Sequence, residues 1–161
     1  MSAPAMSPAA TAPAESTSGQ PDWTVPQGWV AETPGPMVLA TFGIAGGGKP
    51  AKVAVSVFPG DVGGTFANIN RWRGQLGLAQ ITEAELPQHI RTLDLKDSKA
   101  ILADMKGTDA RTGQPARLVV AIVPRAGQSW FYKLTGDEQT VAREQEAFVK
   151  FVSTARYPNG R

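Results

Sequence analysis

The chain contains no cysteine. That absence excludes disulfides, thiolate nucleophiles, cysteine-ligated zinc and iron–sulfur clusters. It leaves the redox compartment open, because exported and cytosolic proteins can both lack cysteine. Histidine occurs once, at His89. A zinc site needs three or four ligands, so carboxylates would have to supply the rest. Beside Glu83, Glu85 and Gln88, His89 reads as a solvated side chain on a short polar helix. A serine triad would have to recruit the same histidine, and no G-x-S-x-G elbow occurs. Long apolar runs are missing too: none approaches the roughly 18 residues that span a bilayer. Nor is there an excess of one charge. Sixteen Lys and Arg against fourteen Asp and Glu leave a formal +2, so nucleic-acid binding is not implied. The carboxylates are dispersed, with Asp94, Asp97 and Asp104 along a turn and strand and Glu138, Glu144 and Glu146 on a helix. General acid–base work needs a carboxylate moved by burial or a near neighbour, and no pair stands out. The reading is a protein without catalytic residues, without a cofactor and without a metal.

What is present suits one domain. The chain has 161 residues, 42% of them hydrophobic, enough for one core and too few for two. Residues 1–20 are Ala, Pro, Ser and Thr with a single charge, Glu15. Such a composition cannot offset the entropy of ordering its backbone, so it reads as a flexible arm or tether. Pro4, Pro8 and Pro13 favour extension. Residues 21–157 read as a single globular domain and 158–161 as a tail. The start carries neither a basic n-region nor an apolar h-region, which leaves the cytoplasm open as a location.

Within the domain, Asp22–Trp29 reads as an edge strand, since Pro26 cannot donate into a ladder. Met37–Ile44 and Ala51–Phe58 read as a hairpin around a glycine-rich turn, with Val53, Val55 and Val57 on one face. That turn contains Gly43-x-x-x-x-Gly48-Lys49, close to a phosphate loop. Pro50 stands where the magnesium-holding hydroxyl would be, and a strand follows instead of a helix. Thr65–Leu76 reads as a helix with Thr65 as N-cap, Gly77 as stop, and Phe66, Ile69, Arg73 and Leu76 on the core side. Thr82 and Glu85 have capping-box spacing on a short turn limited by Pro87. Lys99–Met105, Leu118–Val123 and Ser129–Leu134 read as a meander. A final helix spans Asp137–Ser153, with Val141, Phe148, Phe151 and Val152 as its stripe. Thr135-x-x-Glu138 reads as the box at its start. The order predicts an α+β fold, an antiparallel sheet of about five to six strands with helices packed on it.

The most chemically crowded stretch is Pro59–Leu78, PGDVGGTFANINRWRGQLGL. On a helix, Asn68, Arg71 and Gln75 share one side. An arginine at the core boundary, Arg73, needs acceptors. Two readings stand side by side. In one, Arg73 and Asn70 clamp the helix to strand ends and loops. In the other, Arg71 and Trp72, with Asn68 and Gln75, present a binding face, because Trp and Arg are enriched at interface hot spots. Trp23 and Trp29 are further partner-binding candidates. Of Trp130, Phe131 and Tyr132, two are expected in the core.

Several motifs together resemble a known group. They are Trp23-x-x-Pro26-x-Gly28-Trp29, the middle helix, the strand end Trp130-Phe131-Tyr132-Lys133-Leu134-Thr135-Gly136, and the closing Phe151-Val152-Ser153. Over residues 22–156 they look like uncharacterised bacterial proteins that are generally exported or lipoprotein-like. The element order also resembles the α/β/α sandwich of PsbP, an extrinsic protein of photosystem II. The resemblance implies a non-catalytic docking or assembly module, an extrinsic accessory subunit of a photosynthetic or respiratory membrane complex. It favours the periplasmic or exported face of a membrane, with protein partners and no nucleic acid. This chain departs from the pattern in lacking a lipobox cysteine and the histidine-containing ion sites of some PsbP proteins. An alternative from the residues themselves is a small-ligand or anion-binding protein, or a hydrolase, with a pocket near Arg71 and Arg73.

Overall fold

A computed structural model describes residues 21–45, 49–60, 64–96, 98–125 and 127–157. The proposed arm at 1–20, the tail at 158–161 and the turn glycines at 46–48 lie outside the described residues. The elements run β1 (Trp29–Glu32), β2 (Ala40–Ile44), β3 (Ala51–Pro59), α1 (Gly64–Gln75), a 3-10 helix (Glu83–Gln88), β4 (Ile90–Asp94), β5 (Lys99–Thr108), β6 (Pro115–Arg125), β7 (Gln128–Asp137) and α2 (Glu138–Thr154). The strands form one seven-stranded antiparallel sheet in the order β1-β2-β3-β7-β6-β5-β4. The α+β class is as expected, with more strands. β4 is the addition: Ile90 and Leu93 are its half-buried residues, a spacing of three that gives no period-2 signal. β1 begins at Trp29, beyond Pro26, and Asp22 contributes only an isolated bridge to Arg156.

The pleat sends alternate residues to two helical layers. On one side Val53, Val55, Val119, Ala121, Tyr132 and Leu134 meet Val141, Phe148, Phe151 and Val152 of α2. On the other, Met105, Leu118, Val120 and Phe131 meet Ile69, Trp72 and Leu76 of α1. Trp130, Phe131 and Tyr132 are all buried, split between the two sides. This explains the unbroken apolar run in β6, which is covered on both faces.

The helix ends follow local chemistry. Asp137 caps α2, its carboxylate accepting from Gln139 N and Thr140 N, both at 3.1 Å. Thr135 therefore does not cap it; that residue still pairs with Lys52 inside the sheet. At the end of α1, Leu78 N donates to Arg73 O (2.9 Å) and Gly77 N to Gly74 O (3.2 Å). This is a Schellman closure, and Gly77 takes the left-handed φ of 68° it requires. The Thr82–Glu85 box is formed in both directions at the 3-10 helix.

Candidate functional site

The buried stripe of α1 is Ile69, Trp72 and Leu76, at i, i+3 and i+7. Trp72 takes the inward position, and Arg73 beside it is half-buried. At 1% exposure the Trp72 ring is part of the core. Its face is therefore not a partner contact, and the reason is the helix phase set by Ile69 and Leu76. Asn68 is buried as well and accepts a 2.8 Å bond from Arg71 Nη1. Arg71 and Gln75 remain exposed.

Two polar side chains on α1 hold the chain that follows it. Asn70 donates to Ile81 O (3.0 Å) and accepts from Ile81 N (2.9 Å). Arg73 donates through Nε to Ala79 O at 2.7 Å. The segment Ala79–Ile81 is thus strapped along the helix and Ile81 is set into the core.

Trp23 and Trp29 sit at the other pole of the molecule. Trp29 is buried, and its Nε1 donates to Glu144 on α2 at 2.9 Å. Trp23 is half-buried, with ring centroids 5.0 Å from Phe151 and 6.1 Å from Phe42. Both rings close the α2 layer and do not stand free as partner contacts. The sheet edge beside them is different. Val25, Val30 and Met37 are the large hydrophobics exposed among the described residues, Val30 at 64% and Met37 at 74%.

The concavity beside α1 is not lined by Arg71 or Arg73. It is a cleft of about 470 Å³ under the end of the helix, floored by the sheet. Gln75 and Leu76 form the helix side, Asp109–Arg111 the loop side, and Leu118, Lys133 and Thr135 belong to its floor. The β5–β6 loop is drawn to the helix by Thr108 N on Leu76 O (2.9 Å) and Ala110 N on Gln75 O (3.2 Å). These bonds satisfy two carbonyls at the helix end. They need glycine at 107, where a Cβ would collide with the Leu76 carbonyl.

The recessed cation of the cleft is Lys133; Arg111, on the loop side, has an exposed side chain. The Lys133 ammonium lies 5.3 Å from the Trp72 ring centroid, and the Arg71 guanidinium 5.6 Å from the same centroid. Burial holds the Lys133 pKa below the usual lysine value, and the Arg71 charge lowers it further. Among the described residues the ammonium has neither a hydrogen-bond acceptor nor a carboxylate. The Trp72 Nε1 is also buried without an acceptor among them. The reading from sequence passed over Lys133. The available signal was a lysine inside the run Trp130–Leu134, whose other residues are aromatic or aliphatic.

The opposite face has its own polar ties. Arg117 bonds both carboxylate oxygens of Asp104, at 2.7 and 2.5 Å, and Asp104 also accepts from Gln145 of α2 at 3.2 Å. The hydrogen bond to Asp104 raises the Arg117 pKa. The Tyr132 and Tyr157 hydroxyls meet at 2.6 Å, and burial raises the pKa of both. Among the described residues no three His, Asp or Glu side chains gather in a metal-binding cluster. None of their helices is long and apolar enough to cross a membrane.

With this geometry in view, comparison with known proteins shows the fold. Neither a family model nor a curated sequence matches the chain. Among solved structures it is similar to LpqN of Mycobacterium tuberculosis, described as involved in cell envelope biogenesis. The TM-score is 0.51 at 17% identity, over 88% of this chain and 87% of that one. It is similar to cyanobacterial PsbP (CyanoP) from Synechocystis sp. PCC 6803, with a TM-score of 0.51 at 9% identity, over 91% and 98%. A protein of Bacteroides thetaiotaomicron VPI-5482 also matches, with a TM-score of 0.51 at 10% identity over 86% of this chain. The chain spans about half, 48%, of that protein's length. The architecture is PsbP-like.

Proposed function

We propose that this protein is a non-catalytic docking module, an extrinsic accessory subunit that binds another protein through the β1 edge of its sheet. The observation that carries this reading is the exposure of Val30 on β1, with Val25 and Met37 exposed in the chain just before and just after that strand. Exposed apolar side chains in one place mark interaction surfaces. β1 is also an outermost strand, so its outer backbone groups are open to an added strand. The PsbP-like fold supports the accessory role, and its occurrence in a protein of cell envelope biogenesis supports placement at the exported face of a membrane-associated complex. The test is native purification in gentle detergent with cross-linking and mass spectrometry. The expected result is cross-links from residues near Val30 to a partner protein, weakened by Val30→Lys while the thermal melt is unchanged. Recovery as a lone monomer, or partner capture that ignores Val30→Lys, would sink the reading.

A further inference from the structure

A second site lies away from that edge. We propose that the cleft under the C-terminal end of α1 binds a small organic carboxylate, its charged head taken by Lys133 with Arg71 nearby and its apolar body laid against Leu76 and Leu118. Four observations converge on it.

The first is the lone ammonium. A half-buried cation normally has a carboxylate, a carbonyl or water against it. Lys133 has an aromatic ring and, among the described residues, no acceptor. The second is the second cation. Arg71 stands against the same ring and acts on Lys133 as a like charge. Two cations held together without an anion repel each other, and an anionic ligand would turn that repulsion into attraction. The third is that the one carboxylate lining the cleft is already engaged. Asp109 accepts from Arg111 N (2.7 Å) and Thr112 N (3.3 Å) in its own turn.

The fourth is shape. A cleft of about 470 Å³ is of small-molecule size. Its walls are fixed by backbone bonds from Thr108 and Ala110 to the helix end. The apolar floor at Leu118 and the Leu76 wall suit a hydrocarbon body more than a bare inorganic ion. The Gln75 amide and the Thr135 hydroxyl at the cleft are further donors. A recessed lysine can take a carboxylate oxygen, while Arg71, outside the lining and bonded to Asn68, adds its charge to the attraction.

The experiment uses the full chain and the Trp72 indole as reporter, because both cations stand on its ring. Its ¹H–¹⁵N resonance is identified by its loss in Trp72→Phe. Sodium hexanoate is titrated at constant ionic strength, beside inorganic phosphate and hexylammonium. Hexanoate is expected to shift the Trp72 resonance saturably. Lys133→Met should weaken that binding by at least about tenfold, the size expected for a charge-assisted hydrogen bond. Arg71→Gln, at an exposed position, should weaken it by about threefold. It serves as the second probe if Lys133→Met alters the fold. No saturable shift with hexanoate overturns the proposal. So does an equal shift in Lys133→Met, an equal response to hexylammonium, or phosphate binding as tight as hexanoate. The docking reading is independent, since it turns on Val30 and partner capture. Each can fail while the other stands.

Discussion

The two faces of the sheet are built differently. The α2 face is aromatic. Trp23, Trp29, Phe42 and Tyr132 surround Phe151, with centroid distances of 5.0 to 5.9 Å to it. Its helix has 17 residues, and its polar ties, such as Arg117 on Asp104, are paired. The α1 face is covered by a 12-residue helix. It is held by side chain-to-backbone straps, carries two cations on one indole with no carboxylate against either among the described residues, and leaves a cleft at the helix end. One face spends its surface on packing. The other keeps charge near the core, the pattern expected where a site is maintained at some cost to stability.

If that contrast is right, the largest loss comes from the aromatic hub. Phe151→Ala removes a fully buried ring touched by four aromatic neighbours. It should cost about 3–5 kcal/mol in urea unfolding, with the transition still cooperative. Trp72→Phe at the centre of the other face should cost clearly less, since it also deletes a buried N–H without an acceptor among the described residues. Equal losses at the two positions would erase the distinction.

A smaller effect tests the strap. Asn70→Ala leaves Ile81 N and Ile81 O without the partners that Asn70 supplies. The expected cost is about 1–3 kcal/mol, with amide exchange accelerated around Ala79–Ile81 and unchanged in α2. Uniform loss of protection across both faces would mean that the strap is part of one cooperative core.

The same contrast explains what could be read from the sequence. The α2 face was legible because its signals are periodic. Val53, Val55 and Val57 alternate, and Val141, Phe148, Phe151 and Val152 form a helical stripe. The α1 face was misphased. Trp72 had been read on a binding face, because Phe66, Ile69, Arg73 and Leu76 also satisfy helical spacing with Arg73 at the core boundary. Burial decided the phase, and burial depends on which strands lie beneath. Trp23 and Trp29 looked like surface contacts for a similar reason. Only the closed fold brings them to Phe151, more than a hundred positions later in the chain. β4 escaped because an exposed edge strand has little need of alternation. The cleft escaped altogether, since it joins α1, the β5–β6 loop and β7, and no local pattern links them.

The smallest and most specific effect is the titration of Lys133. Its charged neighbours are Arg71 on α1 and Asp109 and Arg111 on the β5–β6 loop, and the net result of burial and Arg71 is a lowered pKa. Below the folded pKa both folded and unfolded chains carry the proton, and the folded state bears the full penalty of a desolvated ammonium. As pH rises through the folded pKa, the native state releases its proton before the unfolded one. The unfolded state then binds more protons, so stability rises with pH until the unfolded lysine titrates near about 10.4. Tyr132 works in the opposite sense: its raised pKa keeps it protonated while the unfolded tyrosine ionises above about 10, so stability falls there. Comparing the wild type with Lys133→Met cancels the tyrosine contribution, which both share. The variant's stability advantage over the wild type should be greatest below the folded pKa of Lys133 and shrink toward about pH 10 in paired urea titrations. An advantage independent of pH would mean that Lys133 is solvated like an ordinary surface lysine, and the electrostatic difference between the two faces would go with it.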